Sequence, residues 1–160
     1  MNAYRAAPPA RPTAGGHSWG YTADREYPMV AAAIAALRRE GICLAEFACD
    51  RAAKYCSWSH AIAKCVARGE CQGGVVFCED PGVVCCVANK VAGLRAVAVT
   101  TVSQAARATR ALGANLLAVE MPGRTYFEVR QILRTLCAAG CACPEGTADT
   151  LRELDGHAHR

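Results

Sequence analysis

The chain has 160 residues, 52% of them hydrophobic and 20% charged, which excludes disorder throughout and supplies enough apolar side chains for one core. Its formal charge of +4 comes from 18 basic and 14 acidic residues scattered along the sequence, so no basic stripe of the kind that binds nucleic acid is present. No apolar run reaches the ~18 residues a membrane-spanning helix needs; the longest helical one, Met29 to Leu37, stops at Arg38 and Arg39, and no membrane insertion is expected.

Residues 1–16, ending in a Pro- and Gly-rich stretch, read as a flexible leader. They carry Arg5 and Arg11, and no acid precedes Asp24, a pattern shared by a weak organellar targeting segment and a plain tail. Residues 17–22 read as a weak first strand. Val30, Ala33, Ile34 and Leu37 recur on one face, and with Pro28 before them and Gly41 after them they predict a helix over 29–40. A short apolar segment at 42–47 precedes a second helix, 58–68, with Ile62, Cys65 and Val66 facing inward. The fully apolar run 74–78 is the pattern of a central parallel strand. Helix 81–90, strand 94–99, a helix to Leu112 capped by Ser103 and closed by Gly113, strand 115–119 and helix 125–136 follow. This alternation predicts a three-layer α/β/α sandwich on a parallel sheet over 17–140, with a tail at 141–160. In such sheets ligands bind at the carboxyl ends of the strands, where strand order reverses, which directs attention to Cys78, Glu79 and Asp80, to Thr100 and Thr101, and to Glu120 and Met121.

Eleven cysteines do not read as a secreted disulfide scaffold: the number is odd, there is no apolar signal segment, and many lie inside apolar runs. The expectation is a reducing compartment, cytoplasmic or mitochondrial, with most cysteines serving as small buried hydrophobes. Cys137, Cys141, Cys143, His157 and His159 form no CxxC pair and match no zinc spacing. No metal and no cofactor is expected.

The run from Gly69 to Cys78, followed by Ala88-Asn89-Lys90-Val91-Ala92-Gly93-Leu94-Arg95-Ala96, resembles the ribose-5-phosphate isomerase B / galactose-6-phosphate isomerase family, and the spacing between Cys78 and Asn89-Lys90 fits without a gap. The resemblance covers residues 17–140. It implies a five-stranded parallel Rossmann-like sheet, dimers or tetramers of dimers with sites between subunits, and aldose–ketose isomerisation through an enediolate. A cysteine moves the proton, a histidine helps open the ring and arginines hold the phosphate.

Carried over residue by residue, Cys78 matches the proton-transferring cysteine, Asn89 and Lys90 fall in the substrate-binding region, and Arg124 takes the place of an arginine after the fifth strand if two residues shift. The family's Gly-Thr-Gly after the cysteine, whose backbone N–H groups hold the oxyanion, is here Glu79-Asp80-Pro81. Proline has no N–H, and two carboxylates repel an enediolate and raise the thiol pKa. The Asp-His pair of the first strand falls on Ala23 and Asp24, the ring-opening histidine on Ala111, and the basic tail is missing. His60, Trp19 and Trp58 read as solvated or packing residues. The expectation is a degenerate family member, inactive or altered, serving as a structural or interaction subunit in a homodimer or in a heterodimer with a homologue, with a larger assembly possible. The alternative is an active sugar-phosphate isomerase using Cys78 as base. A short apolar helix after Cys78, with no polar side, would need cover on both faces.

Overall fold

The computed structural model describes residues 19–47, 50 and 52–157; the expected leader and the expected strand start at residues 17 and 18 lie outside them. Five strands, β1 (Trp19–Ala23), β2 (Leu44–Glu46), β3 (Gly73–Cys78), β4 (Ala96–Val99) and β5 (Leu116–Glu120), alternate with five helices. These are α1 (Pro28–Arg39), α2 (Tyr55–Ala67), α3 (Pro81–Ala88), α4 (Val102–Leu112) and α5 (Tyr126–Ala139), and a sixth helix, α6 (Glu145–His157), follows. The strands form one parallel sheet in the order β2-β1-β3-β5-β4. Helices α1, α4 and α5 pack together on one face, and α2 and α3 on the other, giving the three-layer α/β/α Rossmann-like architecture.

β3 is buried at every position, as its unbroken apolar run requires of a central strand. Successive side chains alternate between faces: Val75 and Phe77 join the core under α1, α4 and α5, while Val76 and Cys78 join that under α2 and α3. Gly73 leaves room for the neighbouring Trp19 ring, since a Cβ there would lie 2.2 Å from it. From β1 the chain moves outward to β2 and returns to β3 on β1's other side. The strand order therefore reverses at β1 and β3, and the carboxyl ends of these two strands, at Asp24 and Cys78, are the crevice where this fold places ligands.

Local chemistry sets the helix ends, and two expected boundaries move. Thr101, not Ser103, caps α4: Thr101 is extended (φ −137°, ψ 158°) and its side chain accepts the Gln104 N–H, whereas Ser103 already lies within the first turn. α2 begins at Tyr55, three residues before the expected start, because the extended Lys54 opens it without a side-chain cap and so leaves no sequence signal. Gly113 closes α4 at φ +61° in the left-handed conformation glycine tolerates. α5 starts with a reciprocal capping box between Thr125 and Glu128. The tail after Gly140 carries α6, which has no buried residue. Among the described residues no helix is long and apolar enough to cross a membrane.

Candidate functional site at the carboxyl ends of β1 and β3

Asp24 follows β1 directly, and its N–H donates to the Phe77 carbonyl at 3.0 Å, which fixes it beside the end of β3. Its side chain is 6% exposed and collects three donors. The Tyr27 hydroxyl reaches Oδ1 at 2.7 Å; the Tyr55 hydroxyl and the Glu79 N–H, the latter at 2.9 Å, both donate to Oδ2. Burial first, then the bonded carboxylate of Asp24, pushes both tyrosine hydroxyls well above their ordinary range. Arg25 leans over this group, with Nε 3.8 Å from Asp24 and a terminal nitrogen 2.6 Å from Glu79.

Cys78 ends β3, fully buried, with its carbonyl accepting the Met121 N–H at 2.9 Å. Burial drives its thiol far above the ordinary cysteine range; the charges of Asp24, Cys85 and Asp80 push the same way, and the Asp80 N–H opposes them. Of the next three residues, two have no free backbone donor to offer a ligand. The Glu79 N–H is bonded to Asp24, and Pro81 has none. Glu120, paired in register with Cys78 on β5, adds a fourth carboxylate to this edge. The crevice is dominated by acids, with Arg25 committed to two of them.

The other sequence candidates do not converge on Cys78. Arg124 sits at the same end of the sheet but turns toward the β4 side, where one terminal nitrogen donates to the Thr100 carbonyl and to Glu128, the latter at 3.0 Å. Asn89 and Lys90 stand at the opposite, amino end, against the start of β4. The Asn89 amide is spent on the Ala96 backbone, donating to its carbonyl at 2.9 Å and accepting its N–H at 2.7 Å, and Lys90 is exposed. Within one chain, the intervening helix α3 carries them about 12 Å along the sheet from Cys78. His60 is exposed, while Trp19 and Trp58 are buried.

Asp24, Tyr27, Tyr55 and Arg25 form this crevice without being candidates from the sequence, where Asp24 is the first acid and a position where a histidine is absent. The signal available was Asp-x-x-Tyr at the end of a strand beside the switch point. The cysteines also differ from expectation. Among the described residues ten are free thiols, of which Cys71 and Cys78 are buried and Cys43, Cys56 and Cys86 exposed. Cys56 on α2 and Cys86 on α3 lie on exposed sides of their helices. Among the described residues no group of three His, Cys, Asp or Glu side chains is placed to hold a metal ion, and His159 lies outside them.

A family model described as Ribose/Galactose Isomerase matches residues 22–138. Solved structures share the fold at low identity. Ribose-5-phosphate isomerase B of Clostridium thermocellum is 21% identical, with TM-score 0.73 over 89% of this chain and 97% of that one. The type B enzyme of Trypanosoma brucei is 19% identical, with TM-score 0.74 over 89% and 99%. That of Mycoplasma genitalium, with bound ribulose-5-phosphate, is 18% identical, with TM-score 0.73 over 91% and 99%. No curated protein sequence matches.

Proposed function

The chain belongs to the ribose/galactose isomerase family, and on that premise we propose that it is a degenerate member, without enzyme-like turnover of sugar phosphates, that serves as a structural or interaction subunit. One observation carries the reading: of the three residues after Cys78, where the resemblance calls for N–H groups facing an enediolate oxyanion, two have none free to give. The Glu79 N–H is bonded to Asp24, and residue 81 is proline. Removing a single oxyanion donor costs about 10²–10³ in rate. The base is disfavoured as well, because a buried thiol held protonated by burial and by Asp24 supplies little thiolate near neutral pH. Arg124, tied to Thr100 and Glu128, is a poor phosphate anchor. The same family premise supports the alternative, an active isomerase, through Cys78 at the switch point.

As a subunit, the chain forms a homodimer or a heterodimer with a homologue. The support is α3, which exposes Val83 (36%) and Cys86 and half-buries Val87; an apolar outer face of this kind asks for cover. Two measurements test the reading. Ribose 5-phosphate and a panel of pentose and hexose phosphates are followed by NMR with wild type and Cys78→Ala; equal background rates are expected, and turnover lost in Cys78→Ala would establish the isomerase instead. Light scattering is expected to give a dimer, and a monomer at all concentrations would remove the subunit role.

A further inference from the structure

At the amino end of the sheet, the opposite edge from Cys78, α6 closes over a second concavity. Its volume is about 390 Å³, near the lower end of the ~300–1,000 Å³ typical of small-molecule pockets, so its occupant is small. The walls are apolar: Leu94 and Leu112 belong to the body, and Leu151 and Leu154 come from α6. Leu154 is 60% exposed and α6 buries none of its residues, so this wall has apolar surface still to cover.

Two opposite charges also line the cavity, Arg95 and Asp155, and both are held on Gly93. One terminal nitrogen of Arg95 donates to the Gly93 carbonyl at 3.3 Å, while Asp155 Oδ2 accepts the Gly93 N–H at 2.9 Å. They are not paired with each other: Arg95 gives its bonds to the carbonyls of Gly93, Gly113 and Cys141. One N–H on each terminal nitrogen of Arg95 is left over, and so is the Oδ1 atom of Asp155. The other polar groups of the lining are engaged, the Asn89 amide with Ala96 and Arg152 with Asp149 at 2.9 Å.

We propose that this cavity binds a small zwitterionic amino acid with an apolar side chain. Its carboxylate takes the remaining N–H groups of Arg95 as a charge-assisted fork, its ammonium donates to Asp155 Oδ1, and its side chain lies among the four leucines. A ligand of one charge would leave either Arg95 or Asp155 unanswered in a partly desolvated site. A zwitterion answers both, so the charged pair sets specificity and leucine burial adds affinity. Because Arg95 belongs to the body and Asp155 to α6, the ligand also ties α6 down. The site stands apart from the crevice at Cys78 and is independent of the subunit reading.

Isothermal titration calorimetry on the full chain tests this, with L-leucine, L-methionine and L-phenylalanine as probes. Leucine is compared with isocaproate, which lacks the ammonium, and with isoamylamine, which lacks the carboxylate. Each is expected to bind about tenfold or more weakly than leucine, through loss of a charge-assisted hydrogen bond. Asp155→Asn keeps an oxygen for the Gly93 N–H and should weaken leucine about tenfold without weakening isocaproate. Leu151→Asp, a second variant, puts a carboxylate in the apolar wall and should weaken both. Bound leucine should slow amide hydrogen exchange across residues 145–157. Circular dichroism melts establish that both variants, altered at half-buried positions of α6, remain folded. The proposal is overturned if none of the three amino acids binds, if isocaproate or isoamylamine binds as tightly as leucine, if Asp155→Asn weakens leucine and isocaproate alike, if Leu151→Asp binds leucine as wild type does, or if exchange in α6 is the same with and without bound leucine.

Discussion

Replacing Asp24 by alanine tests whether the crevice is a built, self-satisfied network. The carboxylate is 6% exposed and takes hydrogen bonds from Tyr27, Tyr55 and the Glu79 N–H. A hydrogen bond to a charged group contributes about 1.5–3 kcal/mol, so three would total roughly 5–9 kcal/mol if all the donors were stranded away from water. Both tyrosines are only half-buried, so water replaces much of what they lose, and removing Asp24 relieves its repulsion with Glu79 and Asp80. The expected net cost is about 3 kcal/mol, a drop of roughly 10 °C in melting temperature for a domain of this size. Asp24→Asn retains one acceptor and should cost about half as much. Urea unfolding measures both. Tyr55→Phe should cost about 1 kcal/mol in wild type and close to nothing in the Asp24→Ala background, because the pair shares one bond. A loss below ~1 kcal/mol for Asp24→Ala, or additive costs in the double variant, would refute the account of Asp24 as the centre of the network.

Gly113→Ala should cost more than ~2 kcal/mol in thermal unfolding, since φ is +61° and a Cβ would lie 2.4 Å from the Ala142 carbonyl oxygen. Asn89→Ala should destabilise by about 2 kcal/mol by stripping two hydrogen bonds from Ala96, and should leave any residual isomerisation rate unchanged. Glu40 is held below the ordinary carboxylate range by its bonds to Arg130 and Arg134; its contribution is therefore complete above the unfolded carboxylate pKa and is lost as pH falls through the folded one. Acid titration of stability should accordingly show a loss below about pH 4 that is absent in Glu40→Gln and reduced by salt. Alkylation of the native chain should label Cys43, Cys56 and Cys86 before Cys71, whose thiol burial pushes up to about 12, and Cys71 should react only on unfolding.

The fold was legible where a local pattern has one physical solution. An unbroken apolar run such as Val75–Cys78 must be buried on both faces, and the Thr125–Glu128 box and Gly113 mark helix ends by their own chemistry. Thr101 and Ser103 are both capping residues, and only the backbone angles decide between them. α6 left no apolar period to read because it buries nothing. The site was legible to the extent that Cys78 ends a strand. Asp24 was not, because its partners Tyr55 and Glu79 lie 31 and 55 residues away, and no periodicity carries information over that separation.

The part of the sequence that most strongly carries the family resemblance does structural work in this chain. In the run Ala88 to Ala96, the Asn89 amide ties the end of α3 to β4, Gly93 turns at φ +81°, and Leu94 is buried. Arg95 donates to the carbonyls of Gly113 and Cys141, at 3.0 Å each, joining the ends of α4 and α5 to β4. Those demands hold whatever happens at the other edge of the sheet, some 12 Å away along α3. The three residues after Cys78 face different requirements. They need only continue from a strand into a helix, which Pro81 does by opening α3 at its first turn. A chain can therefore keep the run that identifies the family and still exchange the donors its chemistry needs, since fold and site are held by different contacts. Membership here fixes the sheet and the crevice, and the chemistry has to be read from Cys78, Asp24 and the engaged Glu79 N–H.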